Sequence, residues 1–215
     1  MSAQVLDDRV NGLLHDAAAW RLLGRLFECP DASWREDITR LASELQDDGL
    51  RAAVAAVGET ATEGQYHSVF GPGGPAPPRE ASYLETLELG SLMSTLAGYY
   101  GAFAYDPQLT ETPDHVAVEA GFVSYLKLKE AYAYAQGDEA RAQVVSDASA
   151  RFVDDHLAMM AVPLAALLAG SHLDYLAQAS SLLAARVGPR RGPMRLTVLQ
   201  AAPDDDDGSE FTCAL

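Results

Sequence analysis

A chain of 215 residues with 48% apolar residues is long enough to bury one substantial core. Its formal net charge of -16 argues against nucleic acid and anionic membrane surfaces as partners, because both attract cationic proteins. The charge favours a cationic partner, since long-range fields steer encounters, although acidity also serves solubility alone.

The two cysteines, Cys29 and Cys213, lie near opposite ends of the chain. This spacing fits neither a disulfide framework nor a metal knuckle, and it is consistent with a reducing cytoplasm. Residues 1–8 lack the basic flank and apolar run of a secretory signal. No run of 18 apolar residues predicts a membrane span, so we expect a cytoplasmic protein.

Apolar residues at helical spacing predict the first elements of the chain. The predicted segments are 5–27, 34 to about 45, a short helix through 57, and a final turn at 65–70. Pro30 ends the first helix, because proline lacks the N–H group that a helix needs. Ser33 and Glu36 have the spacing of a capping box, which predicts that the Ser33 side chain caps the second helix.

Residues 71–78 contain seven Gly or Pro residues among eight. This stretch cannot be helical, because proline has no N–H group and glycine loses much backbone entropy on ordering. We expect an extended, polyproline-like crossing between helices. The apolar spacing then predicts a helix from Ser82 to about Tyr100 and a loop over 104–111.

Thr112 and Pro113 have the pattern of an N-cap followed by a first-turn proline, which predicts that a helix begins there. That helix should run to about Gln136, where Gly137 stops it. Helical spacing continues further along the chain. It predicts a helix over 138–169 with a kink or junction at Pro163, and a last helix over 171–187.

The predicted fold class is therefore all-α. We expect a single globular helical domain over 1–190, arranged as a bundle with one Gly/Pro-rich crossing. Residues 191–215 contain proline, glycine and a run of four aspartates, 204–207. This composition predicts a flexible acidic tail.

Asp114 and His115 fall in the predicted first turn of the helix after Pro113, where free N–H groups favour negative charge. Asp114 is thus suited to capping that helix. His115 and Glu119 are four residues apart and share a helix face, so the carboxylate is expected to raise the histidine pKa. Phe122 continues the same face as an apolar side chain.

Glu80 and Tyr83 follow the crossing directly. Glu80 suits either a helix cap or a contact with a cation, and Tyr83 suits either core packing or the lip of a groove. Together with the Asp114–Phe122 face, they predict an acidic and apolar groove that binds another polypeptide.

An enzyme is less well supported. His115 and Glu119 supply only two metal ligands, whereas metal sites need three or four. The sequence has no Gly-x-Ser-x-Gly elbow and no Lys-Ser/Thr phosphate loop near residues 71–74. A small metal- or acid/base-dependent enzyme that uses His115 and Glu119 stays open as an alternative.

The sequence resembles the TorD/DmsD/NarJ family of cytoplasmic chaperones for molybdenum enzymes over about residues 10–187. The matching segments are Tyr66–Pro72, Pro77–Tyr83, Pro113–His115 with Glu119 and Phe122, Arg151–Leu157, and 172–183. The Pro-Pro-x-Glu-x-Ser-Tyr stretch is similar to the corresponding segment in the branch of the family that serves DMSO-reductase-like enzymes.

The resemblance implies an all-helical fold, no catalysis and no resident cofactor. It implies a catalytic subunit of a DMSO-reductase-like molybdoenzyme as the partner, bound through its twin-arginine signal peptide or N-terminal segment until molybdopterin guanine dinucleotide is inserted. Nucleic acid and stable membrane association are not expected. By the resemblance, Asp114 and His115 match the motif linked to peptide binding, and Glu80, Tyr83, Glu119 and Phe122 match the neighbouring signature.

One departure concerns the groove. The family often has Glu-Leu-x-Phe-Met where this chain has Glu119-Ala120-Gly121-Phe122-Val123. The smaller side chains change the shape of the predicted groove and leave the identity of the partner open. A nucleotide-responsive adaptor is a further alternative, in which a guanine nucleotide or the pterin cofactor binds weakly or transiently in the same groove.

Overall fold

The computed structural model describes residues 3–59, 61–84, 89–107 and 111–188. Its helices are α1 (Ala3–Leu26), α2 (Trp34–Glu44), α3 (Asp48–Ala55), α4 (Glu63–Phe70), α5 (Leu89–Ala102), α6 (Val116–Ala135), α7 (Glu139–Phe152), α8 (Ala158–Leu168) and α9 (Asp174–Val187). A 3-10 turn covers Glu80–Tyr83 and a π turn covers Val153–Leu157. The described residues contain no strand, so the predicted all-α class is confirmed. The predicted tail, 191–215, lies outside the described residues.

The central element is α6, whose first nine residues, 116–124, are all buried. A helix that is apolar on every side must lie inside the fold. α1 lies along one side of α6 and α7 packs against another, while α9 packs against α8 and α3. The Ser124 hydroxyl donates a hydrogen bond of 2.8 Å to the Ala17 carbonyl across the α1–α6 contact.

α1 and α6 approach closely at Gly24. A Cβ atom there would lie 3.2 Å from the carbonyl oxygen of Ala117, which is tighter than ordinary packing. The absence of a side chain lets the two backbones meet just after the start of α6. No described helix combines the length and apolar character that a bilayer crossing requires.

The cap of α2 differs from the prediction. Ser33 has helical backbone angles (φ −95°, ψ −18°), and its side chain makes no capping hydrogen bond. The Asp31 carboxylate instead accepts from the N–H groups of Ser33 and Trp34, both at 2.8 Å. The capping box was wrong because Asp31, through a local Asx turn, takes the Ser33 N–H that Glu36 would accept from in a capping box.

Two predicted helices, 82 to about 100 and 138–169, differ from the structure in where helical backbone is interrupted. The segment after the crossing is a 3-10 turn over Glu80–Tyr83, and α5 covers Leu89–Ala102 of the described residues. Leu84 is extended (φ −88°, ψ 132°), so its backbone cannot continue the turn. Farther along, Pro163 lies inside α8, and the junction is the π turn at Val153–Leu157.

Candidate functional site

The Gly/Pro crossing meets the start of α6 through backbone hydrogen bonds. Arg79 and His115 form an isolated antiparallel bridge. The Glu80 N–H donates to the Asp114 carbonyl at 2.8 Å, and the Val116 N–H donates to the Pro78 carbonyl at 2.9 Å. These bonds bring together the two segments that the sequence analysis singled out.

Asp114 is fully buried and anchors the crossing to α6. Its carboxylate accepts from Arg79 Nε at 3.0 and 3.2 Å and from the Ala81 N–H at 3.3 Å. The prediction that Asp114 caps α6 was therefore wrong. Asp114 instead stabilises the 3-10 turn of the opposite segment, because the bridge places that turn beside its side chain.

His115 is the N-cap of α6, in place of the predicted Thr112. Its Nδ1 accepts from the Ala117 N–H at 3.1 Å, which leaves the ring proton on Nε2. That nitrogen faces the Tyr66 hydroxyl at 3.3 Å, and the hydroxyl donates to the Phe27 carbonyl at 3.1 Å. The imidazole thus links α6, α4 and the end of α1.

The pKa of His115 shifts in the direction opposite to the prediction. Burial lowers the pKa to about 4, and this effect exceeds the opposing influence of the Asp114 carboxylate. The imidazole is 2% exposed and uses both nitrogens as a neutral ring. The prediction that Glu119 raises the pKa of His115 was wrong. Burial disfavours the charged imidazole more strongly than a nearby carboxylate favours it.

Glu119 is the most unusual side chain of the site. It is fully buried in α6, and its two carboxyl oxygens have no hydrogen-bond partner among the described residues. Burial raises its pKa well above the usual range, and the neighbouring Glu80 carboxyl raises it further. We therefore expect Glu119 to hold its proton to higher pH than an exposed glutamate does.

Glu80 is paired with a histidine that the sequence analysis did not assign to the site. His156 Nδ1 lies 2.9 Å from Glu80 Oε2, and both side chains are buried. The π turn carries His156 inward, and its Nε2 has no hydrogen-bond partner within the described ranges. No local pattern signals a contact between residues 76 positions apart.

Glu80, Asp114, His115, Glu119 and His156 are called the buried cluster below. Phe122 lies one turn after Glu119 and is fully buried. Its ring centroid lies between 4.7 and 6.4 Å from five other aromatic rings, those of Tyr99, Tyr100, Phe103, Tyr105 and Phe152. Tyr83 is half-buried, and its hydroxyl donates to the Pro77 carbonyl at 2.6 Å.

The structure thus brings the six predicted residues into one region but does not expose them. Glu80, Asp114, His115, Glu119 and Phe122 are at most 2% exposed, and Tyr83 alone is half-buried. The expected open groove lined by these side chains was wrong, since the crossing and the aromatic rings cover them. His115 and Glu119 are likewise no metal-ligand pair here, because both imidazole nitrogens are engaged.

An open cavity of about 230 Å³ lies next to this region, between α1, α6 and the loop after α5. Its lining consists of Arg21, Tyr105, Asp106, Gly121, Ser124, Tyr125 and Leu128. Tyr105 also packs against Phe122, with ring centroids 5.1 Å apart. The cavity wall therefore rests on the aromatic side chains that adjoin the buried cluster.

The cavity continues into an exposed apolar face of α6. Tyr125, Leu128 and Tyr132 follow each other at helical spacing, and Leu128 and Tyr132 are 47% and 64% exposed. In this article they are called the α6 stripe. Sequence spacing alone did not distinguish this outer face from the buried face of the same helix.

Replacing Asp114 with alanine is expected to lower the free energy of unfolding by about 2–3 kcal/mol, because Arg79 and the Ala81 N–H lose their acceptor. Urea denaturation followed by circular dichroism measures this loss. Asp48→Ala is the matched control, since its ion pair with Arg51 is exposed and we expect a change within about 0.5 kcal/mol. Equal small changes in both variants would contradict the anchoring role of Asp114.

The family model described as "Nitrate reductase delta subunit" matches residues 28–166. The chain belongs to this family of NarJ/TorD-type chaperones, which assist molybdoenzyme maturation. Searches of curated proteins and of solved structures return no match to this chain.

Proposed function

We propose that this chaperone binds the N-terminal, twin-arginine signal region of a molybdoenzyme catalytic subunit in the cytoplasm. It holds the subunit while molybdopterin guanine dinucleotide is inserted and releases it for export. We propose a DMSO-reductase-like enzyme as the client. Family membership and the net charge of -16 support the proposal.

The observation that carries the proposal is the α6 stripe beside the cavity. A twin-arginine signal combines a cationic start with an apolar stretch. The apolar stretch packs on Leu128 and Tyr132, which already present apolar surface to water, and on the half-buried Tyr125, whose ring also contacts the Lys129 ammonium at 5.0 Å. Each square ångström of apolar surface buried contributes about 25 cal/mol, whereas ordering the peptide costs about 2–5 kcal/mol.

Charge guides the peptide more than it holds it. Exposed charges are screened beyond about 8 Å at physiological salt, so the acidic surface acts mainly on the encounter. Arg21 and Asp106 both line the cavity, so the acidity that guides the cationic start belongs to the protein surface as a whole rather than to the cavity. A modest net free energy follows, and we expect a dissociation constant in the micromolar range, weak enough to allow release.

In this proposal the buried cluster supports the cavity without touching the peptide. Asp114 and His115 hold the crossing and the start of α6 together, and Phe122 supports Tyr105 at the cavity wall. Contact of a guanine nucleotide or the pterin cofactor with the protein is proposed to be weak and transient, because the sequence offers no phosphate loop.

Titration with a synthetic signal peptide tests the docking surface. We expect Leu128→Asp and Tyr132→Asp each to weaken binding about tenfold or more, because losing an apolar contact and desolvating a carboxylate together exceed 1.4 kcal/mol. Val144→Asp and Val162→Asp are matched controls, since these valines are 62% and 57% exposed on α7 and α8. Calorimetry or fluorescence polarisation measures the affinities.

The outcomes of this titration test the docking surface and the proposed function separately. Equal weakening in all four variants would show that peptide binding does not use the α6 stripe. A Lys-Lys version of the peptide tests whether the guanidinium groups are recognised as such. Absence of binding to either peptide and to the apoenzyme would overturn the proposed function.

A further inference from the structure

A second group of reactive side chains lies outside the buried cluster, where the link after α1 meets α4. Cys29 Sγ lies 4.0 Å from His67 Nε2, and that nitrogen lies 3.8 Å from Glu63 Oε1. The three ligand atoms are all within 4.8 Å of one another. Within the described ranges, this is the group of three Cys, His or acidic side chains placed closely enough to hold a metal ion.

The elements bring these donors together by simple geometry. Glu63 and His67 are one turn apart on α4, so they share a face. Their side chains are 75% and 56% exposed and are free to adjust. Cys29 follows the buried Phe27 by two residues and is partly buried, which holds its sulfur against that face.

The spacing is close to that of a tetrahedral zinc site. With Zn–S of about 2.3 Å and Zn–N or Zn–O of about 2.0–2.2 Å, tetrahedral ligand atoms lie about 3.3–3.6 Å apart. The sulfur–nitrogen and nitrogen–oxygen distances of 4.0 and 3.8 Å exceed this range by a few tenths of an ångström, and the sulfur–oxygen pair lies within 4.8 Å. Rotations of the exposed Glu63 and His67 side chains close these differences.

The donor set selects the metal. Thiolate, imidazole and carboxylate together suit Zn²⁺, whereas Mg²⁺ and Ca²⁺ take oxygen ligands. Three protein ligands leave the fourth position to water. Besides Glu63, the carboxylates of Glu111 and Asp31 act electrostatically on the position of Cys29. Their negative field attracts a cation.

We propose that Cys29, Glu63 and His67 bind one Zn²⁺ ion, which braces α4 against the link between α1 and α2. A zinc ion that holds α4 in place also affects the buried cluster. Tyr66 lies between the two α4 ligands in sequence, and its hydroxyl contacts both Phe27 and His115. Fixing α4 therefore also fixes one partner of the His115 imidazole.

Cobalt substitution tests the site directly on the full chain. The purified protein is stripped with a chelator, kept reduced with a phosphine, and titrated with Co²⁺ and then with Zn²⁺. We expect one equivalent of Co²⁺ to give a near-ultraviolet thiolate charge-transfer band and tetrahedral visible bands, which Zn²⁺ then removes. No client peptide is needed, so the outcome is independent of the proposed function.

Matched variants decide between this site and others. Cys29→Ser is expected to abolish the charge-transfer band, and His67→Ala and Glu63→Gln to weaken Zn²⁺ binding in competition with a chromogenic chelator. Cys213→Ser and His15→Ala are the controls and should bind as the parent protein does. Circular dichroism checks that each variant is folded. No stoichiometric binding, or a band that survives in Cys29→Ser, would overturn the proposal.

Discussion

Phe122→Ala is expected to lower the free energy of unfolding by about 3–5 kcal/mol, because it removes a fully buried aromatic ring and leaves a cavity. Five other aromatic rings pack around Phe122. Two of them, Phe103 and Tyr105, come from the segment that follows α5. Urea denaturation at neutral pH measures the loss.

Tyr132→Ala is the matched control for this prediction. Tyr132 lies on the same helix but is 64% exposed, so its removal should change the free energy of unfolding by no more than about 0.5 kcal/mol. A loss below about 1 kcal/mol in Phe122→Ala would mean that the ring does not occupy the packed interior that the structure describes.

Glu119→Gln is expected to stabilise the protein relative to the parent increasingly as pH rises. The pKa of Glu119 is raised in the folded protein, so its contribution to stability is present below the unfolded pKa and is lost as pH rises through the folded pKa. Glutamine does not titrate. The difference in free energy of unfolding should grow by about 1.4 kcal/mol per pH unit above about pH 4.5, while folded Glu119 stays protonated.

The difference between the two proteins is the quantity to measure, because the parent curve contains an opposing effect. Burial lowers the pKa of His115 to about 4, so the parent loses stability as pH falls from about 6.5 towards 4. This loss is present in both proteins and cancels in the difference. Denaturation of both between pH 5 and 8 makes the test, and a flat difference would show that Glu119 ionises in the folded protein as it does in the unfolded chain.

Helices and their ends were predicted where the signal is local. Gly137 has a positive φ of 73° directly after α6, which is a conformation that favours glycine, and it ends the helix as predicted. The Gly/Pro-rich segment 71–78 is not helical, as predicted from its prolines, which have no N–H group. Its first half is a turn rather than the expected extended stretch, since the Gly74 N–H donates to the Gly71 carbonyl at 2.9 Å and Gly73 has a φ of 81°. These outcomes depend on backbone chemistry within a few residues.

Capping was predicted less well, because several side chains compete for the same few N–H groups. Thr112 and Ser33 have the right chemistry for caps, yet His115 and Asp31 occupy those roles. The backbone of His115 is held by its bridge to Arg79, which places the imidazole rather than the threonine hydroxyl over the first turn of α6. A sequence window does not contain that bridge.

The amino-acid sequence by itself determined the all-α class, the non-helical Gly/Pro-rich crossing, the acidic charge and the chemistry of the two segments that meet at α6, because periodicity, proline chemistry and charge are properties of neighbouring residues. Only the tertiary structure decided that Glu80, Asp114, His115 and Glu119 are enclosed, that Glu80 pairs with His156, and that Cys29 meets His67. Burial and pKa depend on which distant segments cover a side chain. Packing of the whole chain sets that environment, and so it reversed the expected shift of His115 and moved the open apolar surface to the outer face of α6.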